Sequence, residues 1–515
     1  MKLKRTSLIS KGSLERTFQA VNEAWKRCDF PAAIEMLERA SRLNPSNAGL
    51  LLDLGRLHGM RYDPVAAERC FERALRVAPH KSEVLVAAGR QSRDFNDFTL
   101  AERYFKLAVE QKDVSPATLA QLADLYERLR RSDEAAGLVD RALHLNPASA
   151  PALLLRAKLD RQAGRLEAAE KLLRDFPAGA EPVFRVGAAY ELGGILDRQG
   201  RYDEAMTAFL EAKSLLQPQA ERPAAELKIM RARISHLTVN ATADVLRQWF
   251  DLSAQLQPPH RLALLGGHPR SGTTLLEQVL DSHPHIVSAE ETEIFYNDAF
   301  GPLLRGQPDD TAMFSGLTLA TTGTLHQVRQ NYFRAVESSL GQAVGGRLLI
   351  DKNPSYTFLI PALIRIFPEI KLLIALRDPR DVVLSCFMQN LPLNQVGAAC
   401  LSLTSTVEEY AALMRSWQAI APRMRNPYLE IRYEDMVADL ESVARKTLDF
   451  LGAPWDARVL GFDEHARNKT VRSPTYADVT QPVYKRAVGR WRHYQKYLEP
   501  HLEKLTPFAN AFGYA

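Results

Sequence analysis

Small residues recur along the first half of the chain with a step of 34 residues. Each is an alanine, and a bulky residue often stands four positions later, as Phe71 does after Ala67. A small side chain allows two helices to cross closely, and the bulky one fills the space beside the crossing. A fixed step of this length predicts a stack of similar helix pairs. The alanines of the series are Ala33, Ala67, Ala101, Ala135 and Ala169.

This period is that of tetratricopeptide repeats, in which each repeat is one pair of helices. Residues 14–216 hold about six repeats, and the step of 36 from Ala169 to Ala205 indicates a two-residue insertion around residues 176–179. Because a single pair cannot bury its apolar face, stacked pairs share a core and leave a groove. We expect this groove to bind a substrate or a protein segment. Self-association into a homo-oligomer and plain scaffolding are the alternatives.

The pattern changes after a proline-bracketed helical segment at residues 217–260, which we interpret as a packed connection. Over residues 261–515, apolar runs alternate with helical patterns, which is typical of a parallel sheet covered by helices. The expected strands are 262–265, 286–287, 348–350, 370–376 and 429–431, and the expected helices are 356–366, 380–390 and 437–452. The predicted fold class is α+α/β multidomain, an all-α tetratricopeptide solenoid followed by an α/β domain with a P-loop-like start.

The first strand of the α/β domain leads into a loop suited to a phosphate group. Gly267 and Gly272 follow the apolar run, and a helix is predicted to begin at Thr273. Backbone N–H groups at a helix start favour an anion. Thr273 stands where the phosphate loop of nucleotidases has lysine, and Arg270 offers a positive charge instead. The residues of this phosphate cradle are Arg270, Ser271, Gly272, Thr273 and Thr274.

The string HPRSGTTLLEQVLDSHPHIVSAEET resembles the 5′-phosphosulfate loop of sulfotransferases that use 3′-phosphoadenosine 5′-phosphosulfate (PAPS). It is most similar to the protein-tyrosine sulfotransferase branch, which shares the arginine, the Asp-x-His-Pro helix end and the Glu-Glu-Thr that follows. The resemblance implies that PAPS is the sulfuryl donor, that adenosine 3′,5′-bisphosphate is the product, and that no metal takes part.

Two glutamates, Glu290 and Glu291, follow the second predicted strand. Sulfuryl transfer to a hydroxyl needs a base to accept the proton, and a carboxylate can be that base. The resemblance implies that Glu291 is the base; from residue type alone, two solvent-facing acids are the favoured interpretation. His283 is the other candidate base, but the Asp-x-His-Pro sequence around it is typical of a helix end.

Two more motifs come directly after strands. Lys352 lies in Asp-Lys-Asn-Pro, where the family has Asn-Lys-Asp-Pro, and a lysine placed there can stabilise charge on the leaving group. Arg377 lies at the next strand end with Ser385 eight residues later, which offers a fork and a hydroxyl to a second phosphate. The resemblance implies that Arg377 and Ser385 hold the 3′-phosphate, and that Arg270, Glu291 and Lys352 are catalytic.

The late part of the domain adds three cofactor contacts by resemblance. Tyr433 is expected near the adenine, and Ser473 and Arg490 are expected on the nucleotide phosphates. Glu293 stands where the protein-tyrosine branch has an arginine that attracts acidic peptides. We therefore expect acidic tyrosine sites to be repelled, and the acceptor class stays open among peptide tyrosine, sugars and small alcohols.

Composition excludes several classes of protein. No window of eighteen apolar residues predicts a membrane span. The net charge of +5 comes without a basic and aromatic cluster, so nucleic-acid binding is not expected. The start lacks an apolar signal core, and four cysteines without paired spacing favour free thiols, so a cytoplasmic location is expected.

Three hypotheses on function remain from the sequence. The first is a PAPS-dependent sulfotransferase acting on a hydroxyl, including a protein or peptide tyrosine. The second is a tetratricopeptide binding scaffold with an inactive transferase domain, and the third is a phosphoryl transferase. Retention of Arg270, Glu291, Lys352 and Arg377 favours the first over the second, and the site for a second phosphate favours it over the third.

Overall fold

The computed structural model describes residues 11–256, 258–307, 311–468 and 485–514. The chain divides into two compact units, Met1–Gly200 and Arg201–Ala515. Each unit has its own apolar core. The sixth predicted repeat straddles this division, and the domain boundaries proposed at residues 216 and 260 stay predictions.

The first unit is a series of helices that pack in consecutive pairs. The alanines of the 34-residue series lie where paired helices cross, and Ala67, Ala101 and Ala135 are each 0% exposed. The predicted all-α repeat architecture is confirmed. The helices described in this unit are α1 Lys11–Lys26, α2 Phe30–Leu43, α3 Ala48–Met60, α4 Pro64–Val77, α5 Lys81–Asp94, α6 Phe98–Val109, α7 Pro116–Arg128, α8 Ser132–Leu145, α9 Ala150–Gln162, α10 Leu166–Arg174 and α11 Pro182–Arg198.

Ion pairs connect successive helix pairs of the first unit. Arg93 of α5 donates from Nη1 to Asp124 Oδ2 of α7 at 3.1 Å, and Lys158 of α9 donates to Glu127 Oε2 of α7 at 2.6 Å. Glu127 is almost fully buried, so Lys158 neutralises a charge that would otherwise be costly to bury. These contacts fix the position of one helix pair against the next, beyond what apolar packing specifies.

The second unit is built around a parallel sheet with the strand order β2-β3-β1-β4-β5. Every predicted strand is present with its ends moved by at most three residues, so the predicted parallel sheet is confirmed. The carboxyl ends of parallel strands lie at one edge of the sheet, where ligands bind in such folds. The strands are β1 Leu262–Gly267, β2 Ile286–Glu290, β3 Leu348–Lys352, β4 Lys371–Leu376 and β5 Tyr428–Arg432.

Helices cover this sheet, and two of them come from the predicted connecting segment. Among the described residues, no helix is both long enough and apolar enough to cross a bilayer, and all four cysteines are buried free thiols. The helices described in this unit are α12 Tyr202–Leu216, α13 Glu221–Asn240, α14 Ala243–Asp251, α15 Thr273–Asp281, α16 Ala312–Leu319, α17 Thr322–Leu340, α18 Ile360–Ile366, α19 Pro379–Phe387, α20 Gln395–Ala399, α21 Leu403–Ile420, α22 Tyr433–Ala438, α23 Leu440–Leu451, α24 Phe462–Asn468, α25 Gln495–Leu498 and α26 Leu502–Ala511. Within the unit, α13 packs on α16, α20 and α21, and α14 packs on α18.

Substitution by alanine should have opposite effects on stability at two helical glycines of the first unit. A Cβ on Gly89 of α5 would lie 2.6 Å from the ring of Phe105, which is fully buried and cannot move aside. We expect Gly89→Ala to lower the free energy of unfolding by about 1–3 kcal/mol through overpacking. Gly137 of α8 has no described atom near its Cβ position, so Gly137→Ala should raise that free energy by about 0.5–1 kcal/mol through helix propensity. Urea unfolding measures both, and a stabilising Gly89→Ala would contradict the close helix crossing.

Candidate active site

The loop after β1 reaches α15 through two residues with left-handed backbone. Arg270 has φ of +73° and Gly272 has φ of +92°. A Cβ on Gly272 would lie 2.6 Å from the Tyr433 ring, so glycine is required both by the backbone conformation and by this close approach. The helix then begins at Thr273, and its first N–H groups have no partner within the helix itself. The loop and the helix start are thus present, and phosphate binding by residues 270–274 stays a prediction.

Arg270 is the charged side chain of this loop. His268 is buried at its start, and burial lowers the pKa of His268 to about 4, so the imidazole is neutral near pH 7. Its Nδ1 lies 2.8 Å from the carbonyl oxygen of Pro269. Positive charge in the loop therefore comes from Arg270 together with the dipole of α15.

Thr357 stabilises the end of β1 by hydrogen bonds. The sequence did not identify Thr357 as a residue of this site. Its hydroxyl accepts from the N–H of Gly267 at 2.7 Å and donates to the carbonyl of Gly267 at 2.8 Å. Thr357 lies in the 3₁₀ turn Pro354–Leu359, which follows β3. The loop between β1 and α15 is therefore tied to the segment that follows Lys352. A threonine in a turn carries no sequence signal for this contact, which joins residues 90 positions apart.

Lys352 ends β3 as a fully buried ammonium group among three carboxylates. Its Nζ lies 2.6 Å from Glu291 Oε1, 3.6 Å from Glu277 Oε2 and 3.7 Å from Glu290 Oε1. Burial lowers the pKa of Lys352, but the carboxylates outweigh burial and hold that pKa above its ordinary value. Lys352 is therefore charged at neutral pH. Of its partners, Glu277 on α15 was not identified from the sequence.

The segment after β2 holds Glu291 in a strained position. Glu291 has φ of +47°, a conformation that costs energy for any residue other than glycine. Its N–H donates to the Lys352 carbonyl at 2.8 Å. The next carbonyl, of Thr292, accepts from Asn353 Nδ2 at 2.9 Å and from the Tyr356 hydroxyl at 2.8 Å. Asn353 and Tyr356, which follow Lys352, thus hold the backbone beside Glu291.

The two adjacent glutamates differ in exposure. The side chain of Glu291 is 36% exposed, whereas that of Glu290 is 3% exposed. The interpretation of both as solvent-facing acids is therefore wrong for Glu290. Glu291 both contacts Lys352 and reaches solvent. The role of base that the resemblance implies requires a carboxylate that an incoming hydroxyl can reach.

Four side chains lie close together on the other side of β1, namely those of Arg270, Ser385, Arg377 and Tyr433. Arg270 donates from Nε to Ser385 Oγ at 3.1 Å, and Arg377 donates from Nη1 to the Arg270 carbonyl at 3.1 Å. The Arg377 guanidinium carbon lies 4.9 Å from the centre of the Tyr433 ring. Among the described residues, the buried Nε of Arg377 has no hydrogen-bond partner. A buried unpaired donor costs about 1–3 kcal/mol, which an anion at this place would offset.

The segment that carries Arg490 is anchored beside this arginine and serine cluster. Asp381 of α19 accepts from the N–H of Gly489 at 2.7 Å and from the N–H of Trp491 at 2.8 Å. Arg377 also donates from Nη2 to the Ala487 carbonyl at 2.5 Å. Arg490 is therefore held next to the helix that carries Ser385. Ser473, the other contact expected late in the domain, lies outside the described residues.

His283, the alternative base, has both ring nitrogens occupied. Nε2 lies 2.8 Å from the carbonyl of Pro454, which can only accept, and Nδ1 accepts from the N–H of His285 at 3.1 Å. In this arrangement Nε2 is the donor and Nδ1 is the acceptor. His283 fixes the turn after α15, as the helix-end interpretation predicts.

Asp351 precedes Lys352 in β3, and its side chain therefore points to the opposite face of the sheet. Its Oδ2 accepts from the Tyr332 hydroxyl at 2.8 Å, and among the described residues its Oδ1 has no hydrogen-bond partner. Burial raises the pKa of Asp351 to about 7. The first residue of the Asp-Lys-Asn-Pro motif therefore belongs to the packing under the sheet and not to the cluster around Lys352.

Comparison with known proteins matches both halves of the chain. Residues 263–457 match the sulfotransferase family, and residues 18–58, 121–182 and 184–223 match the tetratricopeptide repeat. The chain is 24% identical over 405 residues to a protein of Aquifex aeolicus (strain VF5) described as uncharacterized, over 77% of this chain and 51% of that protein. It is 27% identical over 246 residues to protein-tyrosine sulfotransferase 1 of Danio rerio, over 45% of this chain and 65% of that protein.

Solved structures were compared as well. The sulfotransferase domain from the Synechococcus PCC 7002 olefin synthase aligns at 23% identity with a TM-score of 0.34, over 45% of this chain and 88% of that one. The chain spans between about half and two thirds of the lengths of the two curated relatives. The resemblance of the motifs to sulfotransferases and of the repeats to tetratricopeptides is confirmed.

Asp351 should give stability a recognisable pH dependence. A carboxyl whose pKa is raised on folding, here from 3.8 to about 7, keeps a proton that the unfolded chain releases, so stability falls as pH rises through this interval. We expect Asp351→Asn to gain about 2 kcal/mol of unfolding free energy relative to the parent between pH 5 and pH 8. Urea unfolding at both pH values measures this gain. The control is Asp244→Asn at a side chain that is 83% exposed, and an equal gain there would remove Asp351 as the cause.

Proposed function

We propose that this chain, through the sulfotransferase-family domain at residues 263–457, transfers a sulfuryl group from PAPS to a hydroxyl acceptor. One observation carries the proposal. At a single edge of the sheet, the phosphate cradle lies between a buried lysine paired with a solvent-reaching carboxylate and a cluster of two arginines and a serine. Anion binding, proton acceptance and stabilisation of a leaving group each have a residue of suitable chemistry at this edge.

The donor would be held at both of its phosphate ends. The N–H groups of residues 271–274 and the Arg270 side chain suit the 5′-phosphosulfate, and Arg377 with Ser385 suits the 3′-phosphate. The buried unpaired Nε of Arg377, among the described residues, supports this assignment because an oxyanion would complete its hydrogen bonding. Tyr433, Arg490 and Ser473 are proposed as further contacts to the nucleotide. Bound PAPS supplies an activated sulfuryl group on a bisphosphate leaving group.

In this proposal, Glu291 and Lys352 have different roles beside the sulfuryl group. Glu291 accepts the proton of the attacking hydroxyl, because it is the carboxylate of the cluster that reaches solvent. Lys352 holds Glu291 in place through its 2.6 Å contact and brings positive charge to the site where charge develops. Because Lys352 is buried, its charge is little screened by water.

The acceptor and the repeats form the less specific part of the proposal. The relative from Danio rerio is named a protein-tyrosine sulfotransferase, and a protein or peptide tyrosine is one acceptor that we propose here. We further propose that the tetratricopeptide groove binds the acceptor or another protein segment. The alternative of an inactive transferase domain carried by a binding scaffold is disfavoured by retention of the buried ion cluster, which would be costly to keep without use.

Changing the proposed base should abolish turnover without affecting donor binding. We expect Glu291→Gln to lower the turnover number by roughly two to four orders of magnitude, the usual contribution of a general base. Affinity for adenosine 3′,5′-bisphosphate should stay the same, because Glu291 makes no proposed contact with the nucleotide. Turnover is measured with labelled PAPS, and affinity by calorimetry. If Glu290→Gln is inactive while Glu291→Gln turns over normally, the base is assigned to the wrong glutamate.

Calorimetry with two nucleotides tests the donor. Adenosine 3′,5′-bisphosphate should bind more tightly than ATP, and Arg377→Ala should weaken bisphosphate binding by about 2–4 kcal/mol, since a charge-assisted fork is lost. Arg380→Ala is the matched control, because Arg380, the next arginine in the same segment, pairs with Asp378 at 2.7 Å and has no proposed ligand contact. ATP binding equal to or tighter than the bisphosphate would refute the PAPS proposal.

A further inference from the structure

The ammonium group of Lys352 has one partly exposed partner and two buried ones. Glu291 is partly exposed and lies on the segment after β2, whereas Glu277 and Glu290 are buried on α15 and β2. Within the described part of the chain, these three carboxylates are the charged groups found to act on Lys352 from the elements packed around it. At 3.6 Å and 3.7 Å, the two buried carboxylates lie just beyond a hydrogen bond from Nζ. A movement of less than one ångström would bring either into direct contact.

The proposed reaction removes the hydrogen-bonded partner. When Glu291 accepts a proton from the acceptor it becomes neutral, and it no longer balances the charge of Lys352. A buried ammonium without a counter-ion is costly, and such a lysine lowers its pKa and loses its proton instead. A permanent counter-ion is therefore needed if Lys352 is to remain charged at the step that uses its charge.

Glu277 has the features of this permanent counter-ion. It is 0% exposed, so water does not screen its charge. The hydroxyl of Ser288 donates to its Oε1 at 2.7 Å, which fixes the carboxylate and leaves Oε2 towards Lys352. The N–H of Ser288 is itself fixed by Asp281 Oδ1 at 2.8 Å. Glu277 lies on α15, so the helix that begins at the phosphate cradle also carries the charge that balances Lys352.

We propose that Glu277 is a positioning residue that acts through Lys352, keeping it protonated and in place while Glu291 is engaged with the acceptor. This inference rests on the proposed function. Burial acts to lower the pKa of Lys352. Attraction to the charge of Glu277 is the largest single effect that opposes burial, and Glu291 opposes it both by its charge and by its hydrogen bond. Once Glu291 is protonated its charge no longer contributes, so loss of Glu277 should then allow burial to prevail.

The pH profile of turnover tests this role. Lys352 must carry its proton to work, so activity is lost as pH rises through its pKa. For Glu277→Gln we expect this alkaline limb to move down by at least one pH unit, and Glu277→Asp should restore part of the shift because the charge is kept. Val279→Ala, at a buried aliphatic residue of the same helix, should lower stability and leave the limb in place. An unmoved limb in Glu277→Gln, or a larger shift in Glu290→Gln, would overturn the assignment to Glu277.

A second measurement does not depend on activity. Urea midpoints at pH 7.5 are compared for Glu277→Gln, Lys352→Met and the double variant. In the presence of Lys352 the Glu277→Gln change should lower the midpoint, because an ammonium loses its counter-ion. In the Lys352→Met background the same change should raise the midpoint, because Glu277 and Glu290 then repel each other. The same shift in both backgrounds would overturn the proposal. If this reversal is found but no sulfuryl transfer from PAPS can be detected, the proposed function fails while the pairing of Glu277 with Lys352 stands.

Discussion

A buried ammonium group sets the layout of the candidate active site. Lys352 needs negative charge from three separate pieces of chain, namely α15, the end of β2 and the segment after it. This requires the register in which Glu290 lies beside Lys352 in the sheet. A slip of one residue in β3 would turn Lys352 to the other face, where Asp351 meets Tyr332. The need to pair the charge of Lys352 with buried carboxylates therefore helps to set the register of β3, and the same pairing places the groups proposed for catalysis.

Backbone strain accompanies this layout at two of the proposed catalytic residues. Arg270 and Glu291 both have positive φ, at a cost of order 1–3 kcal/mol each for a residue with a side chain. Each is held by partners from a distant part of the sequence, Arg270 by Arg377 and Ser385, and Glu291 by Lys352. The loop and the segment after β2 are thus placed by the strand ends that surround them, and their own conformational preferences are overridden.

The features that the sequence predicted well are local ones. The 34-residue step, the strand runs and the start of α15 at Thr273 each depend on neighbouring residues, and each was found in the structure. The helices α17 and α21 were not predicted. On α17 a buried arginine, Arg329, lies on the apolar face and obscures the helical pattern. Arg329 is neutralised by Glu369 at 2.6 Å, forty positions away. Thr357 and Glu277 were missed for the same reason, since their partners come close only after the sheet has formed.

The depth at which charges lie bears on which acceptors can approach. Of the positive groups proposed to act on the donor, Lys352 and Arg377 are buried, and Arg270 and Arg490 are partly buried. By contrast, Glu291 is partly exposed and Glu293, two residues later, is exposed. A negatively charged acceptor would meet these carboxylates before any buried positive group, and repulsion between exposed like charges is felt over about 8–10 Å at moderate salt. A neutral hydroxyl meets no such barrier. The expectation from the sequence that Glu293 disfavours acidic tyrosine sites therefore has a structural basis. The proposed anionic donor binds at buried positive groups, whereas the acceptor first approaches exposed carboxylates.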